Sequence, residues 1–240
     1  MIEAIIWDYD GTLVDTRQKN LNVTRRIVFE VLNRSFEEFP VLLNVENYQQ
    51  ANTRSVNWRD LYATAFGMNE EQTDYAGSLW TKHQLLDDTE AQFYQGLYET
   101  INEFGTRYPQ AIVSLNSYEN IRKSLVQNGL ADFFKQVMGY EEVGYSQQKP
   151  APEALLKCIE GLGLHETTGI IIYIGDHETD AHCVFNANTV MGRKKVVSIG
   201  AMYEKDQLTE GWKYKPDFIA TKTNELATIV QTFYYMQFKI

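Results

Sequence analysis

The most constraining feature of this chain is a set of short, unbroken apolar runs separated by helical patterns. The first, Ala4-Ile5-Ile6-Trp7, stops in Asp8-Tyr9-Asp10-Gly11-Thr12. Others follow at Ala111-Ile112-Val113, Ile170-Ile171-Ile172-Tyr173-Ile174, Val196-Val197-Ser198-Ile199 and Asp217-Phe218-Ile219-Ala220, with a weaker one at Gln136-Val137-Met138-Gly139. A continuous apolar run that ends in a turn reads as a strand buried on both faces, as strands of a parallel sheet are. Between the runs, Ile121 and Leu125 lie on one helical face that stops at Gly129. Leu155, Cys158, Ile159 and Leu162 share another, begun by Pro152 and ended by Gly163. Leu226, Ile229, Val230, Phe233 and Met236 make a third, C-terminal face. Strand alternating with helix predicts an α/β fold, a doubly wound parallel sheet covered on both faces.

Residues 16–88 break that rhythm. They hold no apolar strand. Leu21, Thr24, Ile27, Val28, Val31 and Leu32 fall at helical spacing, and so do the stretches 57–63 and 75–86. The expected organisation is therefore a core of residues 1–15 and 89–240 with an all-helical insertion, 16–88.

Composition removes several function classes. The 240 residues carry a formal charge of −10, the wrong sign for a general nucleic-acid binder or for adhesion to anionic membranes. The short basic turn Gly192-Arg193-Lys194-Lys195 reads as a solvated loop. No apolar stretch approaches the length of a membrane span; runs such as Gly169–Gly175 have strand length. Two cysteines, Cys158 and Cys183, cannot build a disulfide framework or a zinc site. The chain opens on strand-like residues without a basic, cleavable leader, so a cytoplasmic protein is expected.

The chemistry-bearing residues cluster at strand ends. Asp8 and Asp10 lie at i and i+2 just past a buried strand, where open α/β sheets place their ligands, and Gly11 permits a sharp turn. Asp176 ends a second apolar strand in Gly175-Asp176-His177-Glu178-Thr179-Asp180. Hard oxygen donors with open positions suit Mg²⁺, which keeps several waters and joins substrate phosphate. Lys149 is held by the prolines of Gln148-Lys149-Pro150-Ala151-Pro152, and a fixed ammonium among carboxylates can neutralise phosphate charge. Ser114 closes the strand Ala111–Val113, where a hydroxyl and exposed amides make a phosphate cradle. Ser117 competes with it as a helix cap.

The order of these pieces, Asp-x-Asp-Gly-Thr, then Ser after a strand, then Lys-Pro, then Gly-Asp-x-x-x-Asp, resembles the haloacid dehalogenase superfamily, and within it phosphoglycolate-phosphatase-like members. The resemblance covers residues 1–15 and 92–222, and the insertion resembles the superfamily's helical C1 cap. It implies a Mg²⁺-dependent phosphatase acting on a small phosphorylated metabolite through an aspartyl-phosphate. Asp8 becomes the nucleophile and a metal ligand. Asp10 becomes the general acid and base, with its backbone carbonyl on the metal. Asp176 completes the metal site, and Asp180 stands behind it, orienting Lys149 or a metal-bound water. Gly11, Ser114, Leu115, Asn116 and Lys149 become the phosphate-binding set. Asp10 favours phosphate esters, because a dehalogenase needs no acid for an alkoxide. Two departures stand out: Ser114-Leu115-Asn116 where the family has Asn directly after the hydroxyl, and the bulky Ala181-His182-Cys183-Val184-Phe185 where it has small residues.

Some residues stay outside this pattern. The carboxylates need no imidazole, so His177 and His182 are not expected as ligands. Thr53-Arg54-Ser55 reads as a specificity loop of the insertion, with Arg54 set to bind a second anionic group; Arg17 and Lys19 are weaker candidates. The same core chemistry serves a phosphosugar mutase. A phosphonate hydrolase needs a Schiff-base lysine, and nothing marks Lys19 or Lys82 for it. A non-catalytic binding protein would have lost Asp8, Asp10, Lys149 or Asp176, and all four are present. Nothing in the pattern separates a monomer from a homodimer.

Overall fold

The computed structural model describes residues 1–55, 57–203 and 209–236, with the side chains of Thr53 and residues 234–236 outside that description. The chain divides into two compact units, Met1–Asp15 with Phe93–Ile240, and Thr16–Gln92. The return crossing thus falls at 92/93, where the sequence pattern drew it at 88/89.

In chain order the core unit opens with β1 (Ile2–Trp7) and β2 (Val14–Asp15). The second unit holds α1 (Arg17–Leu32), α2 (Val45–Arg54), α3 (Trp58–Phe66) and α4 (Glu70–Leu86). The chain returns through β3 (Gln92–Phe93) and continues with α5 (Leu97–Gly105), β4 (Gln110–Val113), α6 (Tyr118–Gln127) and β5 (Phe134–Met138). It ends with α7 (Glu153–Gly161), β6 (Ile170–Gly175), α8 (Glu178–Val190), β7 (Val196–Ala201), β8 (Phe218–Ala220) and α9 (Glu225–Met236).

Six strands form one sheet in the order β5-β4-β1-β6-β7-β8, and every pairing is parallel. The chain leaves β1 for β4 and β5 on one side, then crosses to β6, β7 and β8 on the other. This is the doubly wound order, and it opens a crevice at the carboxyl ends of the strands flanking β1. Register fixes what meets there: Trp7 lies opposite Ile112 of β4 and Ile174 of β6. β1, β6 and β7 are buried along nearly their whole length, which explains their unbroken apolar sequences. Ala4, Ile6, Ala111, Val113, Ile171 and Tyr173 pack with Leu155, Cys158 and Ile159 of α7 and Cys183, Val184 and Ala187 of α8. The inward face of α8 is therefore small, while Phe185 points outward and is exposed.

The second unit has its own core, with Leu21, Ile27 and Val28 of α1 against Phe39, Leu42, Tyr48, Leu61, Tyr62 and Phe66. Phe66 meets both Phe39 and Tyr62 edge-on, with ring centroids 5.6 and 5.3 Å apart. One expectation is corrected here. Thr53-Arg54-Ser55 is not a loop: Arg54 is the last residue of α2, and the Ser55 N–H bonds to Ala51 O at 3.1 Å. The helix starts at Asn44, whose side chain accepts the Asn47 N–H at 2.8 Å. Its few apolar residues, Val45, Tyr48 and Ala51, lie at helical spacing and pack in this core.

Candidate active site

The site is built from the strand ends. Asp8 follows β1 but stays on the ladder, its N–H donating to Ile174 O at 2.8 Å. The chain then turns sharply, with the Leu13 and Val14 N–H groups donating to Tyr9 O at 2.9 and 3.2 Å. Gly11 sits in this turn at φ 76°. A Cβ there would stand 2.2 Å from Asp176 Oδ2, so the turn needs glycine for its backbone and for the approach of Asp176. Carboxylate oxygens of Asp8, Asp176 and Asp180 all lie within 4.8 Å of one another. Asp8 and Asp180 are buried and Asp176 is half-buried.

Lys149 reaches into this cluster. Its Nζ donates to Asp8 Oδ1 at 2.6 Å, to Asp180 Oδ1 at 2.7 Å and to the Tyr173 hydroxyl at 3.2 Å. Three donors thus meet three partners, a full complement for a buried ammonium. The backbone beyond it is held by α8: Asn186 Nδ2 donates to Pro150 O at 3.0 Å and Cys183 Sγ to Ala151 O at 3.4 Å. Both oxygens of Asp180 are engaged. Oδ1 accepts from Lys149 and lies 3.1 Å from the Tyr173 hydroxyl, and Oδ2 accepts the His177 N–H at 3.0 Å. Burial pushes the Asp8 carboxyl well above the usual carboxylate range, with Asp180 and Asp176 adding to the shift and Lys149 opposing it. Burial works against the Lys149 ammonium, but Asp180 and Asp8 outweigh it and hold the lysine well above its usual range. Three carboxylates thus gather around one ammonium. A divalent cation fits that oxygen donor set.

Ser114 extends β4, its N–H donating to Met138 O at 3.0 Å, and its buried Oγ accepts the Asn116 N–H at 3.1 Å. Leu115 is exposed, while Asn116 is buried and its Nδ2 lies 2.8 Å from Asp10 Oδ2. Ser117, not Ser114, caps α6, accepting the Asn120 N–H at 3.3 Å. The structure thus brings Asp8, Asp176, Asp180 and Lys149 into one cluster and joins Asp10 to Asn116. The imidazoles stay out of the carboxylate cluster. His177 caps α8 through Thr179, and His182 stacks on Tyr214 with centroids 3.6 Å apart. Arg54 is an exposed residue of the second unit. Sequence reasoning passed over Tyr173, Thr12 and Asn120. Thr12 Oγ1 lies 3.3 Å from Asp8 Oδ2. The available signal for Tyr173 was a hydroxyl-bearing residue inside an otherwise aliphatic strand.

A doubly wound parallel sheet with a buried lysine among carboxylates at the ends of β1 and β6 places the chain among α/β enzymes. The sequence pattern of the haloacid dehalogenase-like hydrolases matches residues 5–192, and the chain belongs to that family. A pyrophosphatase PpaX from Listeria monocytogenes serotype 4b is 25% identical over 96% of this chain and 97% of its own. One from Listeria welshimeri is 27% identical over the same shares. Among solved structures, a predicted phosphoglycolate phosphatase from Haemophilus somnus superposes with a TM-score of 0.71 at 17% identity, covering 95% of this chain and 98% of that one. A haloacid dehalogenase-like family hydrolase from Streptococcus pneumoniae has the same score, identity and coverage.

Proposed function

We propose that this hydrolase is a Mg²⁺-dependent phosphatase that cleaves a small phosphomonoester through an aspartyl-phosphate. The carrying observation is the buried Asp8 carboxylate, 2.6 Å from the Lys149 ammonium and clustered with Asp176 and Asp180. Asp8 and Asp176 carboxylates and the Asp10 carbonyl would hold the ion. Asp180, with both oxygens engaged, stands behind them and orients Lys149. When bound, Mg²⁺ offsets the repulsion between an anionic nucleophile and an anionic substrate.

The chain's own residues do the rest. A carboxylate oxygen of Asp8 attacks phosphorus as the bond to the leaving oxygen breaks, giving an acyl phosphate on Asp8. Asp10 donates its proton to the leaving oxygen. It then takes a proton from the water that attacks the acyl phosphate, releasing phosphate and restoring Asp8. Lys149 neutralises phosphoryl charge, and Ser114 with the Leu115 amide cradles the phosphoryl oxygens. The Thr16–Gln92 unit acts as the cap that selects substrate, with Arg54 as its candidate for a second anionic group.

Phosphoglycolate is the leading ester, by family resemblance. Pyrophosphate is the second reading, favoured by relatives of that activity aligned over 96% of the chain. The test is phosphate release from phosphoglycolate, sugar phosphates, nucleoside monophosphates and pyrophosphate, with Mg²⁺ or chelator, beside Asp8→Asn. Metal-dependent release that the folded variant loses supports the reading, and the preferred compound selects the substrate class. Release that persists in folded Asp8→Asn removes the nucleophile assignment.

A further inference from the structure

Asn116 is 2% exposed, and its amide is fixed from behind. Its Oδ1 accepts the Ser117 N–H at 2.8 Å and the Asn120 Nδ2 at 3.1 Å. A backbone N–H can only donate, so the oxygen must lie on that side and the amino group on the other. That amino group faces Asp10, with Nδ2 2.8 Å from Oδ2 and 3.1 Å from Oδ1. Asn120 is itself 3% exposed and belongs to the first turn of α6, where Ser117 caps its N–H. A rigid helix start therefore reaches Asp10 through two buried side chains.

We propose that Asn116, backed by Asn120, is the positioning residue of Asp10. It sets the plane of the carboxylate that delivers and removes the proton, and its amide serves Asp10 rather than the phosphoryl group. The proposal rests on Asp10 being the acid and base of the phosphatase reading. The geometric reason is plain. Asp10 lies beside Gly11 in the turn after β1, and a proton donor there must be held in one geometry. A misplacement of about 1 Å at a reacting group can cost on the order of 10²-fold in rate.

The test uses a leaving-group series of phosphomonoesters, from 4-nitrophenyl phosphate to an alkyl phosphate, with Mg²⁺ present. Asn116→Asp keeps the oxygen that Ser117 and Asn120 need and the size of the side chain, but removes the donor that faces Asp10. Asn116→Ala removes everything, and Asn120→Ala removes only the support. We expect both Asn116 variants to lose roughly 10–100-fold in kcat/KM on the alkyl ester and less than about 3-fold on the nitrophenyl ester, with Asn120→Ala showing the same pattern in smaller measure. In an Asp10→Asn background, Asn116→Ala should cost nothing further on either ester, since the group it positions is gone. Equal losses on both esters, full additivity with Asp10→Asn, or wild-type alkyl-ester turnover in Asn116→Asp would each overturn the assignment. If Asp10→Asn alone slows both esters equally, the acid role of Asp10 fails instead, and the positioning role falls with it. Should Asn116→Ala not fold, Asn116→Asp and Asn120→Ala carry the same comparison.

Discussion

Lys149 and Tyr173 show how differently two buried polar groups weigh in one site. Lys149 is the only ammonium bonded to the carboxylates Asp8 and Asp180 among the described contacts. Removing one partner of a buried ion pair leaves the other charged and desolvated, which typically costs about 3–5 kcal/mol. Lys149→Met is expected to destabilise the fold by about that amount in metal-free urea unfolding and to abolish turnover; a stable, active variant would contradict its role. Tyr173 contributes a hydroxyl that lies 3.2 Å from Lys149 Nζ and 3.1 Å from Asp180 Oδ1, and also 3.2 Å from Val113 O. Phenylalanine fills the same volume but removes the bond accepted from Lys149 and the one the hydroxyl donates, so Tyr173→Phe should cost about 2–4 kcal/mol. It should lower kcat more than it changes KM, because it loosens a lysine that remains present. Unchanged kcat would make the hydroxyl a core feature only.

The turn after β1 is the element on which the whole cluster depends. Gly11→Ala would place a Cβ 2.2 Å from Asp176 Oδ2 at a backbone φ of 76°. The left-handed conformation alone costs a non-glycine residue roughly 1–2 kcal/mol, and Asp176 must move as well. The variant is expected to fold with a lowered melting temperature and to lose most of its Mg²⁺-induced thermal shift. An unaltered shift would mean that Asp176 is not held in place by this turn. Elements of this kind were legible in the sequence because their causes are local. The apolar runs of β1, β6 and β7 follow from burial on both faces, and the Asp-Gly turn from backbone sterics. Less was legible where the cause lies elsewhere in the fold. α2 holds few apolar residues and starts on the Asn44 cap, so Thr53–Ser55 looked like a loop. Helix α5 was not anticipated, although Leu97, Ile101 and Phe104 share its buried face. The bonds of Asn116 to Asp10 join residues 106 positions apart, which no local pattern encodes.

At the scale of the whole molecule, the proposed metal site would couple stability to both pH and Mg²⁺. Asp8 has a carboxyl raised above its ordinary range by burial and by its acidic neighbours. A group raised on folding contributes stability that is present below its unfolded value, about 3.9 for aspartate, and that is lost as pH climbs through the raised folded value. In chelator, therefore, the cluster makes the protein less stable as pH rises from the acid range. Glu30 and Glu225, held below the usual carboxylate range by hydrogen bonds from Lys82 and from the Thr221 backbone, act in the opposite sense, losing stability as pH falls. The absolute melting temperature mixes these trends, but the difference with and without Mg²⁺ isolates the cluster. Metal binding requires ionised carboxylates, so that difference should grow as pH rises from the acid range through the raised Asp8 value. Near 100-fold excess over the dissociation constant, linkage gives about 2.7 kcal/mol, or roughly 5–10 °C for a protein of this size. Asp176→Asn should reduce the difference toward zero at every pH. A Mg²⁺ shift that is flat across this range, or that survives in Asp176→Asn, would place the ion somewhere other than these strand ends.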